Sequence, residues 1–313
     1  MTANAAALPA SGSASRRGGA LIAIAVVITW LNGGVNFLAF KIGADAMPAV
    51  FLAALRFTTA GLVLVPLALW RIRTYGVPGR REIASTAALG LLMLVGGQTL
   101  TLWGTGQLLA GVASVFGSAP PIFLALFAWL VFRSPLGTRQ LAGIGIGLVG
   151  IVFIGLSSAS SAGFHPIGAI AILVANAIWA SGSLLQHRIV TIRDPIASVT
   201  VQLLTAGVVL WAVAGLTGVA NTDIFHLSRP ALASLAFLTF FSTLIGYGLF
   251  TWLNVNASST LANTYNYVSP VIAIVLAAAF LGESLSVTKI AAAVVALVGV
   301  GLMVGGPTTG ARR

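Results

Sequence analysis

Charged residues and cysteine are scarce in this chain. Asp, Glu, Lys and Arg make up only 7% of its 313 residues, only 5 residues are acidic and cysteine is absent, whereas 58% of the residues are apolar. So few charges exclude an ordinary soluble domain. The absence of cysteine excludes disulfide bonds and thiol chemistry. The composition therefore predicts a polytopic membrane protein.

The sequence also lacks the clusters of polar residues that catalysis or metal binding requires. Its 3 histidines, His165, His187 and His226, show no metal-binding spacing and no Ser/His/Asp arrangement. A G-x-G-x-x-G pattern at 145–150 lies inside an apolar run with no strand before it, so it does not indicate a nucleotide site. We therefore predict no enzymatic activity, no metal and no cofactor. The net charge of +11 indicates affinity for anionic lipid headgroups, not for nucleic acid.

Six runs of the sequence are free of charged residues. They cover 18–40, 83–132, 140–187, 195–222, 230–282 and 290–311, and a further apolar stretch at 46–70 is interrupted only by Arg56. About 20 apolar residues cross a bilayer as a helix, so each of the three longest runs holds two helices. Uniformly apolar runs exclude the alternating strands of a barrel. The fold is therefore predicted to be all-α, with ten transmembrane helices at 20–40, 47–70, 83–105, 108–132, 139–157, 166–187, 196–215, 230–254, 257–281 and 288–306.

Arginine and lysine lie mainly on one side of these predicted helices. If the N-terminus is cytoplasmic, the residues that face the cytoplasm are Arg16, Arg17, Arg71, Arg73, Arg80, Arg81, Arg133, Arg139, Arg188, Arg193, Arg312 and Arg313. Only Lys41, Arg229 and Lys289 then face outward. Because cytoplasmic loops carry the excess of positive charge, this bias predicts a multi-pass protein of the bacterial inner membrane with cytoplasmic N- and C-termini.

The chain repeats itself at a shift of about 149 residues. This shift aligns Trp30 with Trp179, Gly33 with Gly182, Trp103 with Trp252, Pro121 with Pro270 and Gly150 with Gly299, and a shift of about 146 aligns 56–64 with 202–210. The predicted domains are 1–157, a disordered tail and a first five-helix repeat, and 158–313, a second five-helix repeat with a short tail. Because five is odd, the second repeat is predicted to be inverted relative to the first, as in many secondary transporters.

The five-plus-five plan, the prolines of the fourth and ninth helices and the ending LGESLSVTKIAAAVVALVGVGLMV (281–304) resemble the EamA family of the drug/metabolite transporter superfamily. The resemblance covers residues from about 20 to 306, and within the family it is closest to aromatic amino acid exporters of the YddG type. It implies export of a small molecule by alternating access. Members of the family often have an acidic residue after the fourth helix, where this chain has Ser134, and only Glu283 keeps it in the second half. We expect this difference to affect packing or gating more than substrate choice.

Polar residues before the ninth predicted helix indicate a cavity in the membrane. Asn263, Asn266, Tyr267 and Pro270 share one helical face, which is costly against lipid. Tyr265 and Ser269 are predicted to point elsewhere. The repeat mates of the polar face are Ser114, Gly117, Ser118 and Pro121. These small residues leave room for a flat ring, although small residues also let helices pack closely. Pro121 and Pro270 are predicted to kink their helices and to act as hinges.

Other helices offer similar faces toward this cavity. Candidate contacts for the polar end of a substrate are Gln98 and Tyr247, which are repeat mates, together with Asn263 and Tyr267. Further candidate substrate contacts are Asn32 and Ser183, which lie on polar faces with Asn36 and Asn176. Trp30 and Trp179 lie in mid-helix and are candidates for stacking. Arg56, a charge well inside a predicted helix, either holds a substrate carboxylate or is capped by backbone carbonyls.

The residues and the resemblance together predict an exporter of small amphipathic metabolites. Aromatic amino acids and flat organic cations are the leading substrates, and threonine-like amino acids or nucleobases are the alternative. The expected partners are a small-molecule substrate and the lipid bilayer, and the expected assembly is a monomer or a weak homodimer.

Overall fold

The structure is a computed structural model that describes residues 12–133, 135–159, 164–186, 188–256, 264–283 and 286–304. Within these ranges every regular element is a helix and there is no strand. The helices are α1 (Gly12–Ala46), α2 (Ala49–Tyr75), α3 (Arg80–Gly106), α4 (Ala110–Phe116), α5 (Pro120–Phe132), α6 (Thr138–Ser158), α7 (Pro166–Gln186), α8 (Pro195–Leu216), α9 (229–256), α10 (Tyr265–Leu281) and α11 (Val287–Val304), with a short 3-10 turn at Val219–Asn221.

Eight of the described helical segments are long and apolar enough to cross a membrane. They are α1, α2, α3, the pair α4 and α5 taken together, α6, α7, α8 and α9. Helices α10 and α11 are also apolar but shorter. The prediction of an all-α, polytopic membrane protein is therefore confirmed. The count of ten spans stays a prediction, because it depends on α10 and α11.

Residues at the helix ends explain where several helices begin and stop. The Asp194 carboxylate accepts a hydrogen bond of 2.9 Å from the Ala197 N–H, so it caps the start of α8. Gly76 follows α2 with φ of 85°, and Gly282 follows α10 with φ of 66°. Glycine adopts these left-handed angles without the steric cost that a side chain brings, so both helices can end abruptly.

The fourth predicted helix is broken instead of kinked. Helix α4 ends at Phe116, and α5 begins with Pro120 and Pro121. A proline in the first helical turn lacks an N–H that would have no intrahelical partner anyway, so it starts a helix readily. The predicted mid-helix kink at Pro121 is therefore a helix start in the structure. Pro270, its repeat mate, lies inside α10, in the second turn.

Helices α6 and α11 pack through small residues in a reciprocal pattern. A side chain added at Gly150 would meet the backbone of Ala296, and one added at Gly299 would meet the backbone of Gly147. At a shift of 149, Gly147 and Ala296 are mates, as are Gly150 and Gly299. Reciprocal contacts of this kind arise at a two-fold axis. Gly147 of α6 contacts Gly299 of α11, whereas Gly150, further along α6, contacts Ala296, which lies earlier in α11. The two helices are therefore antiparallel.

Helices α2 and α8 show the same reciprocal pattern. A side chain added at Gly61 would meet Leu204, and one added at Gly207 would meet Thr58. At a shift of 146, these residues exchange places in the same way. Helices α2 and α8 are therefore also antiparallel, and their reciprocal contacts also indicate a two-fold axis.

The third helix of each half, α3 in the first and α9 in the second, contains a π-helical segment. Helix α3 is a π-helix over Leu91–Thr99, and α9 is one over Phe237–Gly246. The hydroxyl of Thr99 donates to the Leu94 carbonyl at 3.0 Å, and that of Thr243 donates to the Leu238 carbonyl at 2.7 Å. Long π-helices are rare and often occur at functional sites. Their presence at repeat-related positions indicates that the two halves share a local backbone feature as well as sequence.

Ion pairs mark the two ends of the helix bundle. The Lys41 ammonium contacts Asp45 at 2.9 Å and donates to the Gly106 carbonyl at 3.1 Å, which ties α1 to α3. At the other end, Arg71 contacts Asp194 at 2.9 Å and ties α2 to α8. We refer to these as the Lys41 end and the Arg71 end. Helix α2 runs from the first to the second.

Candidate functional site

Two adjoining cavities lie among the helices. The first has a volume of about 130 Å³ and the second about 100 Å³. Both are lined by Gly33, Asn36, Gln98, Trp179 and Tyr265. The first is also lined by Phe37, Phe40, Gly97, Thr101, Ser114, Gly117, Ser118, Pro120, Asn176, Asn266, Ser269 and Pro270, and the second by Thr29, Asn32, Ser242, Gly246, Tyr247 and Phe250. Because they share walls from α1, α3, α7 and α10, the two cavities can hold one ligand between them.

Two asparagines with unpaired amide oxygens belong to the wall that α1 contributes. The Oδ1 atoms of Asn32 and Asn36 are buried and have no hydrogen-bond partner among the described residues. Asn32 is 9% exposed, and its side chain lies against Gly246 of α9. Buried polar atoms without a partner cost free energy. A ligand with hydrogen-bond donors would offset that cost.

Gln98 connects the cavities to the charge of Arg56. A terminal nitrogen of the Arg56 guanidinium donates to Oε1 of Gln98. Arg56 is only 1% exposed and lines neither cavity, and its guanidinium lies 4.5 Å from the ring centre of Phe57 and 5.5 Å from that of Phe40. The sequence left two possibilities for Arg56, a substrate carboxylate or backbone carbonyls. The structure shows a side-chain amide and two aromatic rings instead.

A neutral counterpart of this pair occurs in the second half. The Tyr247 hydroxyl donates to Oε1 of Gln202 at 3.1 Å, and Nε2 of Gln202 donates to Ser198 at 3.3 Å. Gln202 aligns with Arg56, and Tyr247 aligns with Gln98. Each half therefore joins its second and third helices by a side-chain hydrogen bond at the same position, but only the first half has a charge there.

Aromatic rings form another part of the shared wall. Trp179 meets Tyr247 edge to face with ring centres 6.3 Å apart, and Phe250 lies 6.5 Å from Trp179. Tyr265 meets Phe250 at 5.8 Å. Such a cluster offers faces and edges on which a ligand ring can pack. Trp30, the repeat mate of Trp179, lies outside both cavities, where its Nε1 donates to Thr264 at 2.9 Å.

The small residues in α4 and in the break after it lie at the first cavity but do not leave it bare. Ser114 and Ser118 line this cavity. Each hydroxyl donates a hydrogen bond of 2.7 Å to the backbone carbonyl three residues earlier in the chain. A Cβ added at Gly117 would meet the ring of Phe37. The protein's own aromatic ring therefore occupies the space beside Gly117 that was predicted to hold a substrate ring.

The remaining candidates fall at different places. Ser183, Tyr267 and Pro121 line neither cavity, and Tyr267 has a buried hydroxyl without a partner among the described residues. Asn263 lies outside the described residues. Pro270 lines the first cavity. The roles proposed for these residues stay predictions.

The face that α10 presents is rotated relative to the prediction. Tyr265, Asn266, Ser269 and Pro270 line the first cavity, although Tyr265 and Ser269 were predicted to point elsewhere. Helix α10 begins at Tyr265, so a helical periodicity counted from Asn263 starts before the described helix. Phe37 and Phe40 also line the first cavity, but no sequence pattern distinguishes them, because they are apolar residues in an apolar helix. Asn176 was visible as a polar residue in mid-helix, and its Nδ2 donates at 2.7 Å to the Phe116 carbonyl at the break after α4.

Titratable groups are sparse around the cavities. Within the described residues there is no group of three His, Cys, Asp or Glu side chains that could hold a metal ion. No described carboxylate lines either cavity. In the loop after α8, a hydrogen bond from His226 lowers the pKa of the exposed Asp223 carboxyl. This loop pair lies outside the cavity walls.

Comparison with known proteins identifies the family. The model of the EamA-like transporter family matches the chain twice, over residues 17–156 and 166–305. The chain belongs to this family. The EamA resemblance predicted from the sequence is therefore confirmed, and so is the prediction that the chain is a transporter and not an enzyme.

Two relatives and one solved structure show how far the likeness extends. The chain is 33% identical to the uncharacterized inner membrane transporter YedA of Escherichia coli over 86% of this chain and 84% of YedA. It is 27% identical to a probable amino-acid metabolite efflux pump of Salmonella typhimurium, over 91% and 94% of the two chains. A solved structure with 18% identity has a TM-score of 0.59 and covers 90% of this EamA chain and 94% of its own, which shows a shared fold. Neither relative's name specifies aromatic amino acids, so the YddG likeness goes beyond what these relatives support.

Proposed function

We propose that this EamA transporter exports small amphipathic metabolites, above all aromatic amino acids, from the cytoplasm. The observation that carries the proposal is a pair of adjoining cavities with amide and aromatic walls inside a bundle of apolar helices. Polar groups at membrane depth are costly unless they pair with one another or face a cavity, and in transporters they mark substrate pathways. The EamA relative named as a probable amino-acid metabolite efflux pump supports the direction and the class of substrate.

The transport cycle is proposed to be alternating access by two inverted five-helix repeats. The antiparallel, reciprocal contacts of α6 with α11 and of α2 with α8 support inversion, because an axis across the helices produces both features. Inverted repeats carry their substrate site between the halves and expose it to one side at a time. Pro121, at the start of α5, and Pro270, inside α10, are the proposed hinges.

The size and chemistry of the cavities support amino-acid-sized substrates. A cavity of about 150 Å³ accommodates benzene. The cavities of about 130 and 100 Å³ therefore offer room for one aromatic ring and a polar group next to it. Trp179, Tyr247 and Tyr265 would pack on the ring.

Location and assembly are proposed from the sequence. The bias of arginine toward the Arg71 end supports cytoplasmic termini, with the Lys41 end outside. The name of the EamA relative YedA supports the inner membrane. A monomer or weak homodimer is the proposed assembly.

The function is tested with purified protein in liposomes. Uptake is measured for a panel of tryptophan, phenylalanine, threonine, alanine, nucleobases and a flat organic cation, with protein-free liposomes as the control. We expect aromatic amino acids to enter faster than the other compounds. Preferred uptake of threonine or nucleobases would support the alternative substrate class, and no uptake of any compound would contradict the exporter function.

Transport is expected to depend little on an imposed proton gradient. No described carboxylate lines either cavity, so the cavity walls offer no acidic proton carrier at membrane depth. Uptake of the best panel substrate is measured in liposomes with and without a pH step, at matched membrane potential. Concentrative uptake driven by the pH step would contradict this prediction.

Phe37 is expected to limit the size of the substrate. The Phe37→Ala variant should admit tryptophan-sized substrates faster relative to alanine, because its ring lines the first cavity. The Gly117→Ala variant should instead slow the uptake of tryptophan-sized substrates relative to alanine, because a Cβ at residue 117 would displace the Phe37 ring. The ratio of tryptophan to alanine uptake is measured for both variants and for Phe123→Ala, which removes a ring outside the cavities. If the ratio of tryptophan to alanine uptake is the same in all three variants, Phe37 does not limit the size of the substrate.

A further inference from the structure

Arg56 is a buried charge without a counter-ion in the described part of the chain. It lies seven residues after Ala49, the first residue of α2, and so about 10 Å from the Lys41 end. It is 1% exposed, no described carboxylate forms an ion pair with it, and its Nε has no hydrogen-bond partner there. A buried cation that is not neutralised polarises the groups beside it. The nearest such group at the cavities is Gln98.

The charge determines how Gln98 presents its amide. Arginine has only N–H donors, so the atom of Gln98 that faces the guanidinium is the oxygen. The amide nitrogen therefore lies on the other branch of the planar group. It makes no hydrogen bond to a described residue, and Gln98 lines both cavities. Two N–H donors with a positive charge behind them thus face the ligand space.

Acceptor groups lie on the neighbouring wall of the same space. The Oδ1 atoms of Asn32 and Asn36 are buried and unpaired among the described residues, and both side chains line the second cavity. Carbonyl oxygens of this kind accept hydrogen bonds from an ammonium group. The cavities therefore have a donor side at Gln98 and an acceptor side on α1.

The second half does not repeat this charge. Gln202 stands where the first half has Arg56, and Tyr247 stands where it has Gln98. The Tyr247 hydroxyl is the donor of that pair, to Gln202. The positive charge therefore lies on one side of the ligand space only, which gives a bound dipolar molecule a single preferred orientation.

We propose that Arg56 is a positioning residue that makes the transporter select substrates with a carboxylate. It holds the Gln98 amide so that its N–H groups bind the carboxylate, while Asn32 and Asn36 receive the ammonium group. The inference rests on the proposed function and narrows its substrates to α-amino acid zwitterions. Organic cations without a carboxylate are disfavoured by the same charge.

Binding of three related probes tests this selection. L-phenylalanine, L-phenylalaninamide and phenethylamine share the ring and the amine, but only the first has a carboxylate. Affinities are obtained from the rise of the unfolding temperature of the purified protein with probe concentration. We expect the wild-type protein to bind phenylalanine at least about tenfold more tightly than its amide, the difference that one charge-assisted hydrogen bond makes.

Variants of the pair separate positioning from folding. Arg56→Gln installs the residue of the second half and should bring phenylalanine and its amide to about equal affinity, whereas Arg56→Lys keeps the charge and should keep the preference. Gln98→Glu offers a carboxylate to Arg56 and no N–H to the ligand, so it should reverse the preference toward the amide and the amine. A purely structural role of Arg56 would weaken all three probes equally. If Arg56→Gln does not fold, Gln98→Glu decides alone, because it retains the buried cation with a counter-ion.

Three results would overturn the inference: equal wild-type affinity for phenylalanine and its amide, no binding of any probe, or an unchanged preference in Gln98→Glu. The transport panel separates this failure from failure of the proposed function. A wild-type protein that transports a panel compound without a preference for a carboxylate overturns the inference alone. Absence of transport of every panel compound overturns the exporter function itself.

Discussion

Gly150→Leu is expected to prevent the accumulation of folded protein in the membrane. A Cβ at Gly150 would meet the backbone nitrogen and Cα of Ala296, and backbone atoms cannot rotate away as a side chain can. Helices α6 and α11 would have to separate along their contact. Overpacking of well-packed sites costs about 1–3 kcal/mol where side chains can adjust, and we expect a cost at or above the upper end here. The amount of monodisperse protein after extraction, and its unfolding temperature, are measured.

Gly145→Leu is the matched control on the same helix. A Cβ at Gly145 has nothing within 4 Å, and the residue is exposed on the outer surface of the bundle. Leucine there also removes a glycine from a helix interior, which favours folding by roughly 1 kcal/mol. The pair Gly299→Leu and Gly301→Leu repeats the comparison on α11, since Gly299 meets Gly147 and Gly301 meets nothing. Equal yields and unfolding temperatures within each pair would contradict the close approach of α6 and α11.

The positions of the helices could be predicted because the bilayer makes one simple demand on the sequence. A helix that crosses lipid must exclude charges over its length, and the charged loops then mark its ends. The predicted helix 139–157 is α6 at Thr138–Ser158, and the predicted helix 196–215 is α8 at Pro195–Leu216. The break between α4 and α5 was not predicted, because a Pro-Pro pair is compatible with either a kink or a new helix start.

The candidate site could be predicted only where a polar residue stood out against an apolar background. Gln98 and Tyr247 were predicted in this way, and both line the cavities. Phe37 was not predicted, because an aromatic residue in an apolar helix looks the same whether it faces lipid or a cavity. Its place beside Gly117 depends on how α1 packs against α4, which the periodicity of either helix alone does not contain.

The pairing of Arg56 with Gln98 illustrates the same limit. The sequence showed one charge inside a predicted helix and no acid near it, so its partner had to come from another helix. The alignment of the two halves contained the missing information in part. Arg56 and Gln98 have the mates Gln202 and Tyr247, and both pairs are bonded in the structure.

Glu283→Gln is expected to loosen the Lys41 end of the transporter. The Glu283 carboxylate accepts hydrogen bonds from the N–H groups of Ala110 at 2.7 Å and Gly111 at 3.1 Å, the first two residues of α4. Glu283 is 9% exposed and follows α10, so the contact joins the second half to the first. Any rocking of the halves that opens this end has to break it. Glutamine can satisfy only one of the two N–H groups.

The loss of one charge-assisted hydrogen bond, about 1.5–3 kcal/mol, changes a two-state population by about tenfold or more. Because the chain has no cysteine, a single Ser118→Cys substitution provides a label site at the first cavity without background. We expect a membrane-impermeant thiol reagent on the Lys41 side to label Ser118→Cys about tenfold faster when Glu283→Gln is also present. Glu82→Gln is the control, since Glu82 also caps a helix start, with a 2.8 Å bond from the Gly79 N–H, but at an exposed site within one helix.

Labelling from both sides of the membrane distinguishes a shift between two states from a general loosening of the fold. The first half has Ser134 where the second has Glu283, and a serine cannot supply a charged cap. Weakening the cap at Glu283 should therefore speed labelling from the Lys41 side and slow it from the Arg71 side, as a shift between two states requires. Faster labelling from both sides would mean that Glu283→Gln only loosens the fold. Labelling rates equal to those of Glu82→Gln would show that the cap is not part of the gate, and that α4 and α10 move as one body when the Lys41 end opens.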